Sequence, residues 1–376
     1  MTRIIEFLIS LAIVAVLFIV VGFLLPSQRH VEHSVETNRN MSIVFDTISS
    51  FNRFTDWNVL PLRDPNMEIR ISDPASGVGA RLDYTSEEEG LGQGSWEIVD
   101  VVPGKSVSFA ITDEERGQNK RTTYTLTPTG RNNRNVRITQ TYDVDYGMNL
   151  LGRYSGMYVS SGVGEAMKMS LQRLANMLAA VPNYDYNEFE VAPTVVDRPA
   201  VNLLVVTAAV ERNNDVVQRT MKNNLQWIER VMKENNLVAD GPLRIITNEF
   251  GAENYSFDVA QPVRKADGAS TPETAAEDGA DAEDEVADAE AAPAPAGKIE
   301  VELDGPVEHV FVEAHKEAMV PFTGHMATLP RVRDTLRAWV LTQGHETTGR
   351  PYEDWIKGID DSFTEEGEFR VYWSIR

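Results

Sequence analysis

The chain contains no cysteine. Disulfides, thiolate catalysis, cysteine-built zinc fingers and iron–sulfur clusters are therefore excluded. Base is scarce: 35 Lys and Arg stand against 57 Asp and Glu, a formal net charge of -22. A nucleic-acid binder gains its affinity by neutralising phosphates with Lys and Arg, so nucleic acid is not an expected partner. Histidine is also sparse, six in all, and none has zincin spacing. His309 and His315 can share a strand face with His325 nearby in sequence, but exposed or structural roles are the expectation, and neither a metal nor a cofactor is. No Gly-x-Ser-x-Gly elbow is present, which argues against a serine hydrolase of that type. After Leu25 no apolar run is long enough to span a bilayer.

Phe7 to Leu25 is almost wholly Leu, Ile, Val, Ala and Phe, with Ser10 and Gly22 as mild exceptions. At 1.5 Å rise per residue the stretch covers ~28 Å, close to the hydrocarbon thickness of a bilayer. A cleavable signal peptide has a shorter apolar region and a small-x-small cleavage site; here the run ends in Leu24-Leu25-Pro26. Residues 4–25 are thus expected to form one uncleaved anchor, with the lipid bilayer as partner. Arg3 before the segment and Arg29 and Arg39 after it leave the positive-inside bias nearly balanced. The short leading tail favours the bulk of the chain outside, in the periplasm of a bacterium, anchored single-pass in the inner membrane.

A length of 376 residues suggests two or three domains. Composition divides the soluble part into residues 30–182, a proline-bearing linker at 183–199, and residues 200–376. An acidic insert at 266–297 interrupts the last of these. It holds ten acids and no base, from Asp267 to Glu290. With almost no large apolar side chain it cannot offset its own ordering entropy, and a disordered loop is expected.

Residues 30–180 read as strands closed by a helix. Val107, Phe109 and Ile111 alternate, as do Tyr124 and Leu126, and Val136, Ile138, Gln140 and Tyr142. Turn signals separate them at Pro103-Gly104, Arg116-Gly117, Gly130 to Asn133 and Gly147. Met167, Leu171, Leu174 and Leu178 form one helical stripe. Several ordered features carry a resemblance: Val44-Phe45-Asp46, Phe51, Trp57, Asp64-Pro65-Asn66-Met67, Gly77-Val78-Gly79-Ala80-Arg81, Gly92 to Ile98, Pro103 and Gly152-Arg153-Tyr154. Together this stretch resembles the START-like, polyketide-cyclase type SRPBCC superfamily. The resemblance implies a helix-grip fold, an antiparallel sheet around a long C-terminal helix with an apolar cavity between. It also implies lipids, hormones or polyketides as ligands, some members being cyclases.

Residues 200–376 contain a repeat, each half reading strand–helix–strand–strand. In the first, Val201 to Val206 is a strand; Val217, Met221, Leu225, Ile228 and Met232 make a helical face; Leu243 to Thr247 and Tyr255 to Val263 are strands after Gly241-Pro242. In the second, Val307 to Ala314 is the strand; Leu329, Val332, Leu336, Trp339 and Val340 make the helix; Gly349-Arg350-Pro351 breaks it; Phe369 to Ile375 closes. Trp227, Gly241-Pro242, Phe257-Asp258, Pro262-Val263, Gly324-His325, Trp339, Gly349, Pro351-Tyr352-Glu353 and Val371-Tyr372 make this half similar to the gyrase-inhibitor-like (GyrI-like) effector-binding domain. That resemblance implies a groove for small, often cationic or aromatic molecules. Where many relatives carry a ligand-facing Glu the last strand has Arg370, and Ser374 replaces a usual Pro. Either Glu368 serves in a shifted register, or the site prefers an anion or is lost. The expected fold class is α+β throughout: a helix-grip sheet domain, a duplicated β-α-β-β domain, and one transmembrane helix.

Gly77-Val78-Gly79 and Gly90, Gly92 and Gly94 look like pieces of a dinucleotide loop, which must open a helix. Strands follow here, so hairpin turns and strand kinks account for them. Glu87-Glu88-Glu89 is expected to be a solvated run. The helix-grip cavity is expected to be lined by Trp57, Arg81, Tyr84, Trp96, Phe109, Tyr124 and Tyr142, and the effector groove by Tyr255, Asp258, Tyr352, Trp355, Glu368, Arg370 and Trp373. Any single aromatic of the first set reads more readily as plain core; as a set they point to a cavity. No catalytic set is recognisable, so the expected function is a membrane-anchored binder of a hydrophobic or aromatic small molecule, a sensor or carrier. The alternative is a cyclase or hydrolase using Asp258, Glu353 or Glu368. A third reading makes both domains protein-interaction modules.

Overall fold

A computed structural model describes residues 2–266 and 297–376. All but the end residues of the acidic insert therefore lie outside the described residues, as does the expectation that it is disordered. The chain divides into two compact units, one up to Asp185 and one from Tyr186, with Leu341–Gly344 grouped with the first.

The first unit begins with α1 (Thr2–Leu24), whose only charges are Arg3 and Glu6. It is long and apolar enough to cross a membrane. Then come β1 (Gln28–Thr37), the short helices α2 (Met41–Ile48), α3 (Phe54–Trp57) and α4 (Leu60–Arg63), and six strands: β2 (Glu68–Ile71), β3 (Arg81–Thr85), β4 (Gln93–Val102), β5 (Ser106–Thr112), β6 (Gln118–Thr129) and β7 (Asn135–Asp145). They form one antiparallel sheet in the order β1-β7-β6-β5-β4-β3-β2. The helices α5 (Leu150–Ser155) and α6 (Val159–Ala179) close the unit. Alternation does what the sequence pattern predicts. Val136, Ile138, Gln140, Tyr142 and Val144 of β7 are buried while their neighbours are not. The Met167, Leu171, Leu174, Leu178 stripe of α6 is buried with them. This is a curled antiparallel sheet gripping one helix. Ser170 of α6 accepts from the Val59 backbone N–H (3.1 Å), and Arg173 donates to the Asp56 carbonyl (2.7 Å), so α6 also fixes α3. Gly94 is obligatory for a different reason: a Cβ there would meet the Tyr84 hydroxyl at 2.4 Å.

In the second unit, β9 (Val201–Glu211), α7 (Asn214–Glu234), β11 (Leu243–Phe250) and β12 (Asn254–Lys265) make one strand–helix–strand–strand set. β14 (His315–Thr323), α8 (Leu329–Thr342), β15 (Thr347–Trp355) and β16 (Glu368–Ile375) make the other. The short elements β8 (Thr194–Arg198), β10 (Leu237–Ala239), β13 (Glu308–Val312) and α9 (Gly358–Ser362) complete the unit. The sheet runs β13-β9-β12-β11-β15-β16-β14-β8, so β11 and β15 join the two sets at its centre, and β10 pairs with β12. The Asn213 side chain caps α7 by accepting from Asp215 and Val216 N–H groups at 3.0 and 3.3 Å.

Three boundaries differ from the sequence reading. The strand expected at Val307–Ala314 pairs with β9 of the first set, and the second set opens with His315–Thr323 instead. A buried Glu317 in that strand hides its apolar alternation. Gly349-Arg350-Pro351 lies inside β15, where the pairing shifts register between Thr348 and Tyr352. Part of the expected linker, Thr194–Arg198, is a strand paired with β14, because the sheet edge there supplies hydrogen bonds that a free linker lacks.

Candidate functional site

Strand alternation gives the second unit's sheet two different faces. One packs on the helices through Leu204, Val206, Ile245, Phe257, Val259, Trp355, Phe369 and Val371. On the other, Leu203, Val205 and Ala260 form a separate apolar floor with Ile246 and Val312 beside it. Above this floor is a concavity of about 430 Å³, lined also by Thr207, Asn248, Asp258, Glu308, Val310 and Arg350. It lies in the size range of small-molecule sites. One end is polar. The buried Asp258 carboxylate accepts from Thr207 (2.8 Å), Asn248 (2.7 Å) and the Arg350 guanidinium (2.9 Å). Its charge is thus compensated within the site, and Glu308 adds a second acid at the wall.

The neighbouring part of that face is a packed polar network. Tyr352 and Tyr372 stack at 5.0 Å, with Arg244 over one ring at 4.0 Å and Arg198 over the other at 4.5 Å. Asp354 takes both guanidiniums, at 3.1 Å from Arg244 and 3.2 Å from Arg198. The buried Glu317 accepts from Tyr352 and Ser374 (3.1 Å), with His315 at 2.7 Å. Burial pushes the Tyr352 phenol up, although Arg244 pulls it down. The stacked tyrosines that would suit a cationic ligand are therefore already covered by the protein's own arginines.

The seven residues expected in one groove do not share one. Asp258 lines the concavity; Tyr352 is in the arginine network beside it. Arg370 is exposed, opposite Asp354 in register. Glu368 pairs with Lys357 at 2.6 Å. Tyr255, Trp355 and Trp373 belong to the helix-covered side: Tyr255 sits at 3.2 Å from the Thr247 hydroxyl, Trp355 packs on Phe369 at 5.4 Å, and Arg337 lies over Trp373 at 5.7 Å. On that side Arg333 of α8 forms a two-pronged, fully buried pair with Glu353. Sequence reasoning missed Thr207, Asn248 and the apolar floor, and took Arg350 only as part of a breaker. Leu203 to Val206 of β9 is an unbroken apolar run, so nothing in it tells which residues face the helices.

In the first unit Trp57, Tyr84, Phe109, Tyr124 and Tyr142 are buried inside the grip, and Trp96 is half-buried. Arg81 is not with them. Leu82 takes the inward position of β3, so Arg81 stands on the outer face, bonded to Asp83 at 2.8 Å. Trp57, Trp96, Phe109 and Tyr124 interlock edge-to-face with Phe51 and Phe54 at centroid distances of 5.0 to 5.9 Å. The expected cavity is filled with rings at this end. Yet three buried polar atoms there, Trp57 Nε1, Tyr124 Oη and Gln140 Oε1, make no hydrogen bond. Burial pushes the Tyr124 phenol up; the Gln140 amide opposite it in register offsets only part of this, without reaching hydrogen-bond geometry. Burial, helped by Asp113 and Glu115, pushes Tyr84 up to about 12. Among the described residues no group of His, Asp and Glu is placed to hold a metal ion.

The fold of the first unit is that of a helix-grip protein. Residues 28–179 match the family described as polyketide cyclase / dehydrase and lipid transport. No curated protein matches the chain. Among solved structures, a norcoclaurine synthase point mutant from Thalictrum flavum in complex with a transition-state analogue is 14% identical (40% of this chain, 94% of its own, TM-score 0.32). The C-terminal domain of EcmrR is 17% identical (49% and 96%, TM-score 0.34). Protein Ms6760 from Mycobacterium smegmatis is 19% identical (40% and 91%, TM-score 0.29). At these identities and TM-scores the likenesses say nothing about activity.

Proposed function

We propose that this chain is a membrane-anchored binder of hydrophobic small molecules, a sensor or carrier without catalysis, held by α1 in a bacterial inner membrane with both units on the periplasmic side. The 430 Å³ concavity of the second unit carries the reading. It combines an apolar floor with a few fixed polar groups at one end, the composition that orients a small ligand. The compensated Asp258–Arg350 pair favours a ligand with an apolar body and one neutral hydrogen-bonding group over a simple cation. The twofold strand–helix–strand–strand architecture agrees with an effector-binding module of the GyrI-like kind. For the first unit, the lipid-transport description of the matching family and the three unpartnered polar atoms of the grip support a second, apolar ligand site. The three carboxylates suspected of acid–base chemistry are each held by a cation, at 2.9 Å for Asp258–Arg350 and 2.6 Å for Glu368–Lys357, with Glu353 on Arg333.

Native mass spectrometry of the full chain, with calorimetric titration of 2-naphthol as a neutral aromatic probe, tests this. A co-purified small molecule or saturable probe binding is expected, weakened at least tenfold in Val310→Phe, which narrows the concavity. Arg350→Ala uncovers Asp258 and is expected to shift preference toward cationic aromatics. A chain with no adduct and no saturable binding, or a Val310→Phe variant that binds as the parent does, sinks the reading.

A further inference from the structure

From Gly147 to Gly164 the sequence holds a single charged residue, Arg153. Within this stretch Met148, Leu151, Met157 and Tyr158 are at least half exposed, at 72%, 52%, 50% and 69%. Elsewhere in the described residues outside α1, no stretch of eleven residues holds more than two large exposed apolar side chains. A soluble surface has no reason to concentrate four of them within eleven residues.

The same segment packs on the end of α1. The Tyr154 hydroxyl donates to the Phe18 carbonyl at 2.8 Å, and the two rings stack at 4.4 Å. Gly22 permits this approach: a Cβ there would sit 3.2 Å from both Leu150 and Tyr154. Arg153 is buried and turned inward. It donates to the Phe23 and Leu25 carbonyls at 3.1 and 3.2 Å and to the Gly147 carbonyl at 2.8 and 2.6 Å. The one charge of the segment is thereby used on the carbonyls that a helix C-terminus leaves unpaired. Phe18 lies six residues before Leu24, so Tyr154 reaches ~9 Å back along α1. Side chains of α5 therefore share the depth of the last turns of α1. Only Leu25, Pro26 and Ser27 separate α1 from β1. The Tyr146 N–H bonds the Ser27 carbonyl at 2.7 Å, so this link is short and fixed.

We propose that Met148–Tyr158 is a second membrane-inserted element. It lies in the lipid interface beside α1 and seats the helix-grip unit on the bilayer through Met148, Leu151, Met157 and Tyr158. Tyr158 supplies the amphipathic ring that such interfaces favour. The attraction is hydrophobic, not electrostatic. The β3–β4 and β5–β6 connections, which strand direction places at the same end of the sheet, carry Glu87-Glu88-Glu89 and Asp113-Glu114-Glu115 and repel anionic headgroups. The inference rests on reading α1 as a membrane span, and the experiment separates the two.

Because the chain has no cysteine, single cysteines can be labelled with an environment-sensitive nitrobenzoxadiazole dye. The full chain carrying Leu151→Cys or Met157→Cys is reconstituted in protein-free phosphatidylcholine vesicles containing spin-labelled acyl chains. Val14→Cys reports the anchor, and the exposed Arg131→Cys, at the opposite end of the sheet, reports water. Blue-shifted emission and quenching are expected at residues 151 and 157 as at 14, unchanged at high salt, with none at 131. Water-like, unquenched dye at 151 and 157 alongside a quenched dye at 14 overturns the insertion and leaves the anchor standing; this is also the result if the patch serves a protein partner. An unquenched dye at 14 removes both.

Discussion

The two units solve the same packing problem with opposite materials. Each lays helices on one face of an antiparallel sheet. The first fills the space under its sheet with rings, from Phe51 and Phe54 through Trp57 and Phe109 to Tyr124. The second buries carboxylates, each satisfied by arginine or hydroxyl: Glu353 on Arg333, Asp354 on Arg244 and Arg198, and Glu317 on Tyr352. Of these, only the Glu353–Arg333 pair lies on the helix-covered side; Asp354 and Glu317 lie on the other face, which also carries the hollow. The contrast shows where each unit can take a ligand. The first must part its rings or use the three polar atoms left unpaired among them. The second has a standing concavity whose polar end is already neutralised.

The contrast is broken most severely by removing one half of a buried pair. Arg333→Ala leaves Glu353 charged and unpaired, and the second unit is expected to lose about 3–5 kcal/mol. The paired replacement Arg333→Met with Glu353→Leu is expected to recover most of it. Urea unfolding followed with a probe in each unit would show the loss confined to the second. Phe109→Ala should do the mirror experiment, costing the first unit about 3–5 kcal/mol by opening a cavity among the rings.

A gentler change sharpens the difference. Tyr124→Phe removes a buried hydroxyl that has no partner, so stability should hold or rise by about 1 kcal/mol. A clear loss would mean that the hydroxyl is satisfied in solution, and would weaken the case for a ligand in the grip. The difference also shows in alkali. Tyr84 has its folded pKa raised from 10.0 to about 12, so the folded state holds this proton more tightly than the unfolded chain. Its stabilising contribution is complete below pH 10 and is lost as pH rises from 10 through 12. Several buried tyrosines titrate late, and the late phenolate absorbance should fall by one tyrosine in Tyr84→Phe.

Much of this was legible from residue order. The Met167–Leu178 stripe, the alternation of β7, the apolar run of α1 and the doubled strand–helix–strand–strand pattern each rest on a local period that one element imposes. Where local and tertiary demands diverged, the sequence misled. Arg81 looked like a polar group for a cavity, but Leu82 beside it owned the inward position. Glu317 disguised its strand because two of the partners that permit its burial, Tyr352 and Ser374, lie 35 and 57 residues away in sequence. Tyr255 and Asp258 both sit on β12, three residues apart, and so fall on opposite faces.

The order of amino acids by itself determined the elements, their apolar faces and a helix fit for a bilayer, since these follow from side-chain spacing over a few residues. Only the tertiary structure decided which strand faces meet, and so that the Tyr352–Tyr372 stack is closed by arginine, which floor stays open beneath Asp258, and which exposed Leu and Met stand beside α1. Those outcomes depend on register and pairing between distant segments, and a one-residue change of register reverses every side chain along a strand.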